Sequence, residues 1–231
     1  MTNNINIKLP SGDIKSYPNK ITPLDIAAEI SISLKKNAIL SKVNNKFWDL
    51  DRSIDFDCDL EIITKGNKDL LEVLRHDAAH VMAEAVLELY PDTQITIGPA
   101  IDNGFYYDID LGNLSISEKD FGVIETKMLE IAREKHDFKM KSVSKSDALD
   151  KYRKEANPYK VELIENLTDG EITFCDHDSF TDLCRGGHIP NTGYIKAVKL
   201  LSVAGAYWRG DENNKQLTRI YGISFPKQKA L

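Results

Sequence analysis

The sequence has few cysteines, no long apolar run and no strong excess of one charge. Its three cysteines, Cys58, Cys175 and Cys184, are an odd and sparse set that argues against a disulfide framework. It has neither an apolar run of about 18 residues nor an N-terminal secretory pattern, so neither membrane insertion nor secretion is indicated. We therefore expect a protein of the reducing cytoplasm with no membrane partner.

Several catalytic signatures are also missing from the sequence. It contains no P-loop, no G-x-G-x-x-G fingerprint and no Ser-His-Asp pattern, which removes several enzyme classes. The pair His76 and His80 has the spacing of the metalloprotease motif H-E-x-x-H. That motif needs a glutamate as general base beside the first histidine, and Asp77 stands there instead. A metalloprotease is therefore not predicted.

The composition that is present fits a globular protein of one large or two small domains. The 231 residues are 42% hydrophobic and 29% charged, with a formal net charge of −6. The C-terminal part has the opposite balance, with a net charge of +5 from residue 196 onward. Seven basic residues form this basic strip: Lys196, Lys199, Arg209, Lys215, Arg219, Lys227 and Lys229. A local strip of this kind can bind phosphates even when the whole chain is acidic.

Residues 1–64 have the pattern of a small β-grasp, ubiquitin-like domain. The segments INIKL and IKSYP, joined by the turn PSGD, predict a hairpin. Thr22, Pro23 and Asp25 predict the start of a helix, since they supply an N-cap, a first-turn proline and a first-turn acid. Three more strands are predicted in AILSKV, KFWDL and CDLEIIT.

Residues 65–225 are predicted to form a second, α+β domain that begins with a long helix. The helix follows Asp69 and ends before Pro91. At about 100° per residue, one apolar stripe is predicted on it: Leu71, Leu74, Ala78, Met82, Ala85 and Leu89. His76 and His80 lie on the opposite side among further apolar residues, so a second buried face is expected. A narrow solvent-facing strip is predicted between the two faces, formed by Asp77, Glu84 and Glu88.

The rest of this domain is predicted to be a largely antiparallel sheet with two further helices. Asp102-Asn103-Gly104 is a turn signal, and after it Tyr107 shares an apolar strand face with Phe105 and Ile109. Two helices are expected, one from Ser117 and one that ends before Pro158. The chain from Tyr159 onward is interpreted as mostly strands, and residues 226–231 as the start of a linker to a further domain.

Two short motifs bring together residues that bind metals or transfer protons. His76 and His80 are spaced i, i+4 on the helix, and Cys184 and His188 flank two glycines in the loop LCRGGHIP. A set of three histidines and one cysteine is one that zinc would accept. Buried imidazoles also need polar partners, which favours a function for the helical pair. His136 is expected at the surface, Cys58 in the core, and His177 and Cys175 are open between structural and functional roles.

Three long motifs carry a close resemblance to a known family: RHDAAHVMAEAVLELYPDTQITIGPAIDNGFYYDID, DLCRGGHIPNTG and AGAYWRGDENNKQLTRIYG. In this order they are similar to the N-terminal editing region of bacterial-type threonyl-tRNA synthetases. The first sixty-odd residues resemble the TGS domain that precedes that region. Alanyl-tRNA synthetases carry a related editing domain with the same H-x-x-x-H and C-x-x-x-H elements. The TGS-like unit, GFYYD and AGAYWRGD favour the threonyl family.

The resemblance implies an editing site and roles for its residues. His76, Lys160 and His188 would hold the attacking water, with Lys160 stabilising the oxyanion. Asp182 would hold the substrate's ammonium or hydroxyl, and Tyr107 and Cys184 would shape the pocket. His80, Arg185 and Gly186 complete the implied substrate-binding set. The family commonly has proline at the position of Gly187, and we expect glycine to loosen the loop.

The implied reaction is the hydrolysis of serine mistakenly attached to tRNA(Thr). A missing methylene supplies only about 1–3 kcal/mol of discrimination, so a synthetic site for threonine also accepts serine and a second, smaller site must remove it. The implied partners are the acceptor end of tRNA(Thr) carrying serine and the catalytic core of a parent synthetase, whose aminoacylation motifs are not in this chain. No cofactor is expected for editing.

Three alternatives stay open. In the first alternative, His76, His80, Cys184 and His188 bind zinc. The protein is then a zinc-dependent aminoacyl-tRNA deacylase of the alanyl type. The second alternative is a tRNA-binding module without catalytic activity, which binds the acceptor stem through the basic strip. The third is a zinc-dependent hydrolase of free aminoacyl esters. A deacylation assay on seryl- and threonyl-tRNA, with and without a chelator, separates them from the editing hypothesis.

Overall fold

The computed structural model describes residues 4–227 and divides the chain into two compact units. The first unit takes in the described residues up to Leu70 together with Gly186–Pro190. The second consists of Leu71–Arg185 and the described residues from Asn191 onward. Of the predicted linker 226–231, residues 228–231 lie outside the described part of the chain. Among the described residues, no helix is both long and apolar enough to cross a membrane.

The first unit is a β-grasp sheet with two helices. Its elements are β1 (Asn4–Lys8), β2 (Ile14–Pro18), α1 (Pro23–Ile30), α2 (Ile32–Asn37), β3 (Ala38–Val43), β4 (Lys46–Trp48) and β5 (Cys58–Thr64). The strands lie in the order β2-β1-β5-β3-β4. β1 and β5 run parallel, and the other neighbours run antiparallel. The predicted fold of this unit is confirmed, and α2 is an addition to the predicted elements.

Local sequence explains how this unit folds. Thr22 caps α1 in a capping box with Asp25, and Pro23 occupies the first turn, as the sequence predicts. The apolar faces of the strands and of α1 bury one core. It contains Ile5, Ile7, Tyr17, Ile26, Val43, Ile54, Cys58 and Leu60.

The second unit begins with a long buried helix and contains an antiparallel sheet whose strands differ in length. The helix is α3 (Leu70–Leu89), and the sheet strands are β6 (Gln94–Ile95), β7 (Ala100–Ile101), β8 (Gly104–Asp110), β12 (Ala197–Tyr207) and β13 (Gln216–Phe225). Their order is β12-β13-β8-β6, and β7 pairs with β8 across the predicted Asp102-Asn103-Gly104 turn. The sheet is antiparallel throughout.

A second, smaller sheet and three more helices complete this unit. The strands β9 (Lys139–Ser142), β10 (Thr173–His177) and β11 (Phe180–Leu183) pair antiparallel in the order β11-β10-β9. The helices are α4 (Phe121–Glu134), α5 (Lys145–Lys154) and α6 (Pro158–Glu165). The α+β class predicted for this unit is therefore confirmed.

Two predictions about this unit are wrong in detail. The strip predicted to face solvent on α3 is largely buried, because Asp77 is 0% and Glu84 4% exposed. Only its last member, Glu88, is exposed. The helix is covered on more sides than a two-faced pattern allows. The segment from Tyr159, interpreted as a strand, is instead helix α6, which Asn157 caps and Pro158 opens.

Candidate active site

Helix α3 supplies two histidines whose side chains meet. Its i, i+4 spacing places His76 and His80 one turn apart, and their Nε2 atoms are 3.2 Å from each other. The Nε2 atom of His76 also lies 3.1 Å from the sulfur of Cys184. His80 is 3% exposed, whereas His76 is only partly buried. The buried second face predicted for the helix therefore holds an imidazole pair with a thiol beside it.

The β10–β11 hairpin supplies an aspartate and this cysteine. Asp182 on β11 pairs with Cys175 on β10, and the backbone N–H of Cys184 donates to the carbonyl of Thr173 at 3.1 Å. That bond extends the ladder by one residue. Asp182 and Cys184 are two residues apart in extended chain, so their side chains point to the same face. Both residues are buried.

Helix α6 brings a lysine to Asp182. The Nζ atom of Lys160 lies 2.5 Å from Oδ1 of Asp182, and both side chains are almost fully buried. Asn157 fixes the start of this helix, because its Oδ1 accepts the backbone N–H of Lys160 at 3.0 Å. Its amide group donates to the carbonyl of Ile95 at 2.9 Å. The helix that carries Lys160 is thus tied directly to the segment at β6.

Strand β8 adds a tyrosine that also binds Asp182. The hydroxyl of Tyr107 donates to Oδ2 of Asp182 at 2.7 Å, and Tyr107 is 1% exposed. Its ring lies flat against Gly98, where an added Cβ would stand 2.0 Å from a ring carbon. A glycine is therefore required at position 98 for Tyr107 to occupy its place. The prediction that Tyr107 faces inward with Phe105 and Ile109 is confirmed.

Asp182 is the centre of a buried charged network. Burial alone would raise the pKa of Asp182, but the ammonium of Lys160 and the imidazole of His80 outweigh it and hold that pKa well below its usual range. The same carboxylate lies 3.3 Å from Nδ1 of His80. Burial would lower the pKa of His80, but Asp182 and Cys184 outweigh it and raise it to about 9. The pKa of Tyr107 is raised by burial and by Asp182, so this hydroxyl stays protonated.

These pKa values determine where the protons lie at neutral pH. His80 carries both ring protons, so its Nδ1–H faces Asp182 and its Nε2–H points to Nε2 of His76. The ammonium of Lys160 and the protonated ring of His80 are groups that can stabilise negative charge developing on a bound carbonyl.

The same groups are able to hold a metal ion. One donor atom each of His76, His80 and Cys184 lies within 4.8 Å of the others. Imidazole nitrogen and thiolate sulfur are ligands that zinc accepts. A carboxylate behind a ligating histidine, as Asp182 stands behind His80, is also typical of zinc sites. The donor set therefore fits zinc in type and spacing.

The other loop histidine, His188, belongs by its contacts to the first unit. The carboxylate of Asp49 accepts the backbone N–H groups of Gly187 at 3.2 Å and His188 at 2.5 Å. Gly187 has a φ of +89°, and a Cβ there would stand 2.5 Å from the Cβ of Phe47. The expectation that Gly187 loosens the loop is wrong. Its positive φ, which proline cannot adopt, and its close packing make glycine the residue that fixes this backbone.

The remaining candidates are placed as follows. His177 is 1% exposed, and its Nδ1 lies 3.1 Å from the carboxylate of Glu84. His136 is partly exposed and lies 2.7 Å from Glu134. Arg185 is exposed, and Gly186 is partly buried with a φ of +98°. Cys58 and Cys175 are buried free thiols in β5 and β10.

Most of the basic strip is neutralised by acidic partners. Four of its seven members form ion pairs with earlier parts of the second unit: Lys199 with Glu125, Arg209 with Glu162, Lys215 with Asp110 and Arg219 with Asp108. Lys229 lies outside the described residues. The net charge of +5 counted along the chain is therefore not a free positive surface.

Asp49 and Gly98 were missed by the sequence analysis. Gly98 stands in TIGPAI, and a glycine before a strand that bears a tyrosine was a usable signal of close packing. Asp49 lies 139 residues before His188 and follows β4 in an ordinary polar turn. Nothing in the local pattern singles it out.

Comparison with known proteins agrees with this architecture. Residues 5–64 match the TGS domain, and residues 172–221 match the threonyl and alanyl tRNA synthetase second additional domain. The second match contains Asp182, Cys184 and His188. The chain therefore combines a TGS domain with the editing-associated domain of aminoacyl-tRNA synthetases.

The whole chain is similar to threonine–tRNA ligases. It is 56% identical to the enzyme of Flavobacterium psychrophilum over 227 residues, which are 98% of this chain and 35% of that protein. The identity is 50% to the Cytophaga hutchinsonii enzyme and 47% to the Clostridioides difficile enzyme, again over 98% of this chain. These relatives and the two domains identify the chain as homologous to the TGS and editing region of threonyl-tRNA synthetases. It spans about 35% of the length of these relatives.

Proposed function

We propose that this chain is the editing part of a threonyl-tRNA synthetase and hydrolyses the ester of seryl-tRNA(Thr). The observation that carries the proposal is the buried cluster of Lys160, Asp182, His80 and His76, found within a chain homologous to these synthetases. Its substrate would be the acceptor end of tRNA(Thr) bearing serine. Its other partner would be the catalytic core of a parent synthetase, and its place of action the cytoplasm.

The proposed substrate preference follows from the limits of recognition by size. Serine lacks one methyl group of threonine, which is worth only about 1–3 kcal/mol to a binding site. A synthetic site therefore mischarges tRNA(Thr) with serine, and a second site that rejects the extra methyl removes the error. Tyr107 and Cys184 are proposed to form the wall that excludes it. Their tight burial supports this, because a packed wall does not give way to a methyl group.

Hydrolysis requires a water molecule, a base and a group that receives the oxyanion. We propose that one imidazole, that of His76 or of His188, serves as the base. Water adds to the ester carbonyl carbon and gives up a proton. The bond from that carbon to the ribose oxygen then breaks, and the oxygen leaves with a proton. The products are free serine and uncharged tRNA.

The cation of Lys160 is proposed to stabilise the oxyanion in this reaction. Burial makes its charge more effective than it would be in water, and its bond to Asp182 fixes its position. Asp182 accepts hydrogen bonds from Lys160, Tyr107 and the backbone N–H of Leu183. A substrate ammonium or hydroxyl would share these oxygens. We therefore propose that Asp182 acts on the substrate through the groups it orients as well as by contact.

The remaining site residues are proposed to bind the substrate. His80 would orient the ring of His76, while Arg185 and Gly186 would lie along the bound ribose and acceptor end. Arg185 is exposed, which fits a role toward the tRNA. The backbone at Gly186 adopts a positive φ that favours glycine and permits close approach of a ligand.

Deacylation of seryl-tRNA(Thr) and threonyl-tRNA(Thr) by catalytic amounts of protein tests the proposal. We expect multiple turnovers on the seryl substrate and little activity on the threonyl one. His76→Ala, Lys160→Ala and His188→Ala should each lower the rate, by roughly 10²–10⁴-fold for loss of a proton-transfer group. His136→Ala, a partly exposed histidine in the same chain, serves as the matched control. Near wild-type rates in all three variants would refute the assignment, and binding without turnover would favour a non-catalytic tRNA-binding module.

A zinc-dependent deacylase remains the second candidate, because His76, His80 and Cys184 converge as zinc ligands do. We propose hydrolysis without a metal, in which a water molecule attacks the ester and side chains of the cluster transfer its protons. A chelator should then leave the rate unchanged. Loss of activity on chelation, restored by zinc and matched by stoichiometric zinc in elemental analysis, would replace our proposal with the zinc enzyme.

A further inference from the structure

A carboxylate of the first unit accepts hydrogen bonds from the segment that carries His188. Asp49 follows β4 and is 4% exposed, and His188 is 2% exposed. One oxygen of Asp49 accepts the backbone N–H groups of Gly187 and His188. The two carboxylate oxygens lie 3.3 Å and 3.4 Å from Nδ1 of the His188 ring. A single side chain therefore contacts both the backbone and the ring of the histidine.

The backbone around this contact is fixed by packing. The positive φ of Gly187 turns the chain so that two consecutive N–H groups point at Asp49, and Phe47 packs against the glycine. Phe47 lies in β4 and Asp49 directly follows that strand, so one short stretch of chain determines both contacts. These contacts therefore fix the backbone of His188 independently of the orientation of its ring.

The chemistry of the contact determines the proton positions on the ring. An ionised carboxylate only accepts hydrogen bonds, so Nδ1 of His188 must carry a proton. In the neutral ring, the lone pair is then on Nε2. The contact also limits rotation of the ring about its side-chain bonds. Asp49 therefore selects both the tautomer and the direction of Nε2.

We propose that Asp49 is a positioning residue for His188. The inference rests on the proposed function, in which His188 assists proton transfer. It adds a residue that lies outside the editing-associated domain and about 140 residues away in the sequence. Carboxylates behind reacting or ligating histidines commonly act in this way, and their loss lowers activity by about 10–100-fold.

A structural role for Asp49 is separable from a positioning role by the choice of variant. Asp49→Asn keeps one oxygen that can accept the two backbone N–H groups. It replaces the other oxygen with an amide N–H₂ and removes the negative charge, so Nδ1 keeps only one uncharged acceptor, the oxygen 3.3 Å away. Asp49→Ala removes both kinds of contact. Asp55→Asn is the matched control, since Asp55 is an exposed aspartate six residues further along the same unit.

The experiment combines imidazole ¹⁵N NMR with deacylation of seryl-tRNA(Thr) by the full chain. The His188 signals are assigned by their loss in His188→Gln. In the wild type and in Asp55→Asn we expect a proton on Nδ1. In Asp49→Ala, which removes both oxygens from Nδ1, we expect the share of the ring protonated on Nε2 to rise and kcat to fall by about 10–100-fold, while KM changes little. In Asp49→Asn we expect a smaller change in the same direction.

Two results would overturn the inference. One is a His188 that keeps the wild-type preference for a proton on Nδ1 in Asp49→Ala, and the other is an unchanged kcat despite a changed tautomer. If Asp49→Ala unfolds, the ¹⁵N spectrum of the wild type still decides, because a proton on Nε2 there contradicts the contact. A wild-type chain with no deacylase activity would remove the proposed function, whereas the tautomer measurement would still decide whether Asp49 sets the ring.

Discussion

The raised pKa of His80 predicts how the stability of the protein depends on pH. The folded chain holds the proton of His80 with a pKa of about 9, because Asp182 and Cys184 outweigh the effect of burial. An unfolded histidine has a pKa of about 6.5. Between these values the folded state binds more protons than the unfolded state, so stability must fall as pH rises. The contribution is fully present below about pH 6.5 and is lost as the pH passes about 9.

The size of the effect follows from the two pKa values. One pH unit between folded and unfolded pKa is worth about 1.4 kcal/mol, so the full contribution is about 3 kcal/mol. About 1 kcal/mol of it remains at pH 8. A typical domain is stable by only about 5–15 kcal/mol, so the change is large enough to measure.

Urea unfolding at constant ionic strength between about pH 6 and about pH 9.5 measures this contribution. We expect the free energy of unfolding to decline across that range in the wild type and to be much flatter in His80→Gln. His136→Gln is the control: Glu134 raises the pKa of His136, but the side chain is partly exposed, so this variant should keep most of the slope. A flat wild-type profile, or an equally steep one in His80→Gln, would refute the reasoning.

Three further predictions concern single residues that set the site. Gly98→Ala should destabilise the protein by about 3 kcal/mol or more in urea unfolding, because the new Cβ overlaps the ring of Tyr107; a loss under about 0.5 kcal/mol would contradict that packing. Asn157→Ala removes a helix cap and should cost about 1 kcal/mol and lower deacylation through Lys160, whereas Asn157→Asp should restore the cap bond. Gly187→Ala should lower the unfolding midpoint and the deacylation rate together, and a more stable, fully active variant would show that the loop tolerates a side chain.

The sequence predicted the elements whose signals are local. The hairpin β1–β2, the capped start of α1 and the inward face of Tyr107 each depend on neighbouring residues, and each is confirmed. Helix α6 was misread because its eight residues are too short for periodicity to decide between helix and strand. Its cap, an asparagine followed by proline, was the better signal.

The sequence could not predict which faces of each helix or strand are buried by residues distant in the chain. Asp77 and Glu84 look solvent-facing on a helical wheel, but they are buried because neighbouring elements cover that side of α3 as well. The link between Asp182 and Lys160 was implied by resemblance to a family rather than by spacing. The contact of Asp49 with His188 spans 139 residues and has no periodic signature.

The ion pairs of the basic strip affect how the protein would respond to a polyanion. A lysine or arginine that already faces a carboxylate has its charge balanced within the protein, so a phosphate can reach it only by displacing that carboxylate. Each such contact would break one ion pair within the protein and leave its carboxylate close to the polyanion. Affinity contributed by these residues would therefore be lower than that of an unpaired basic surface with the same number of lysines and arginines.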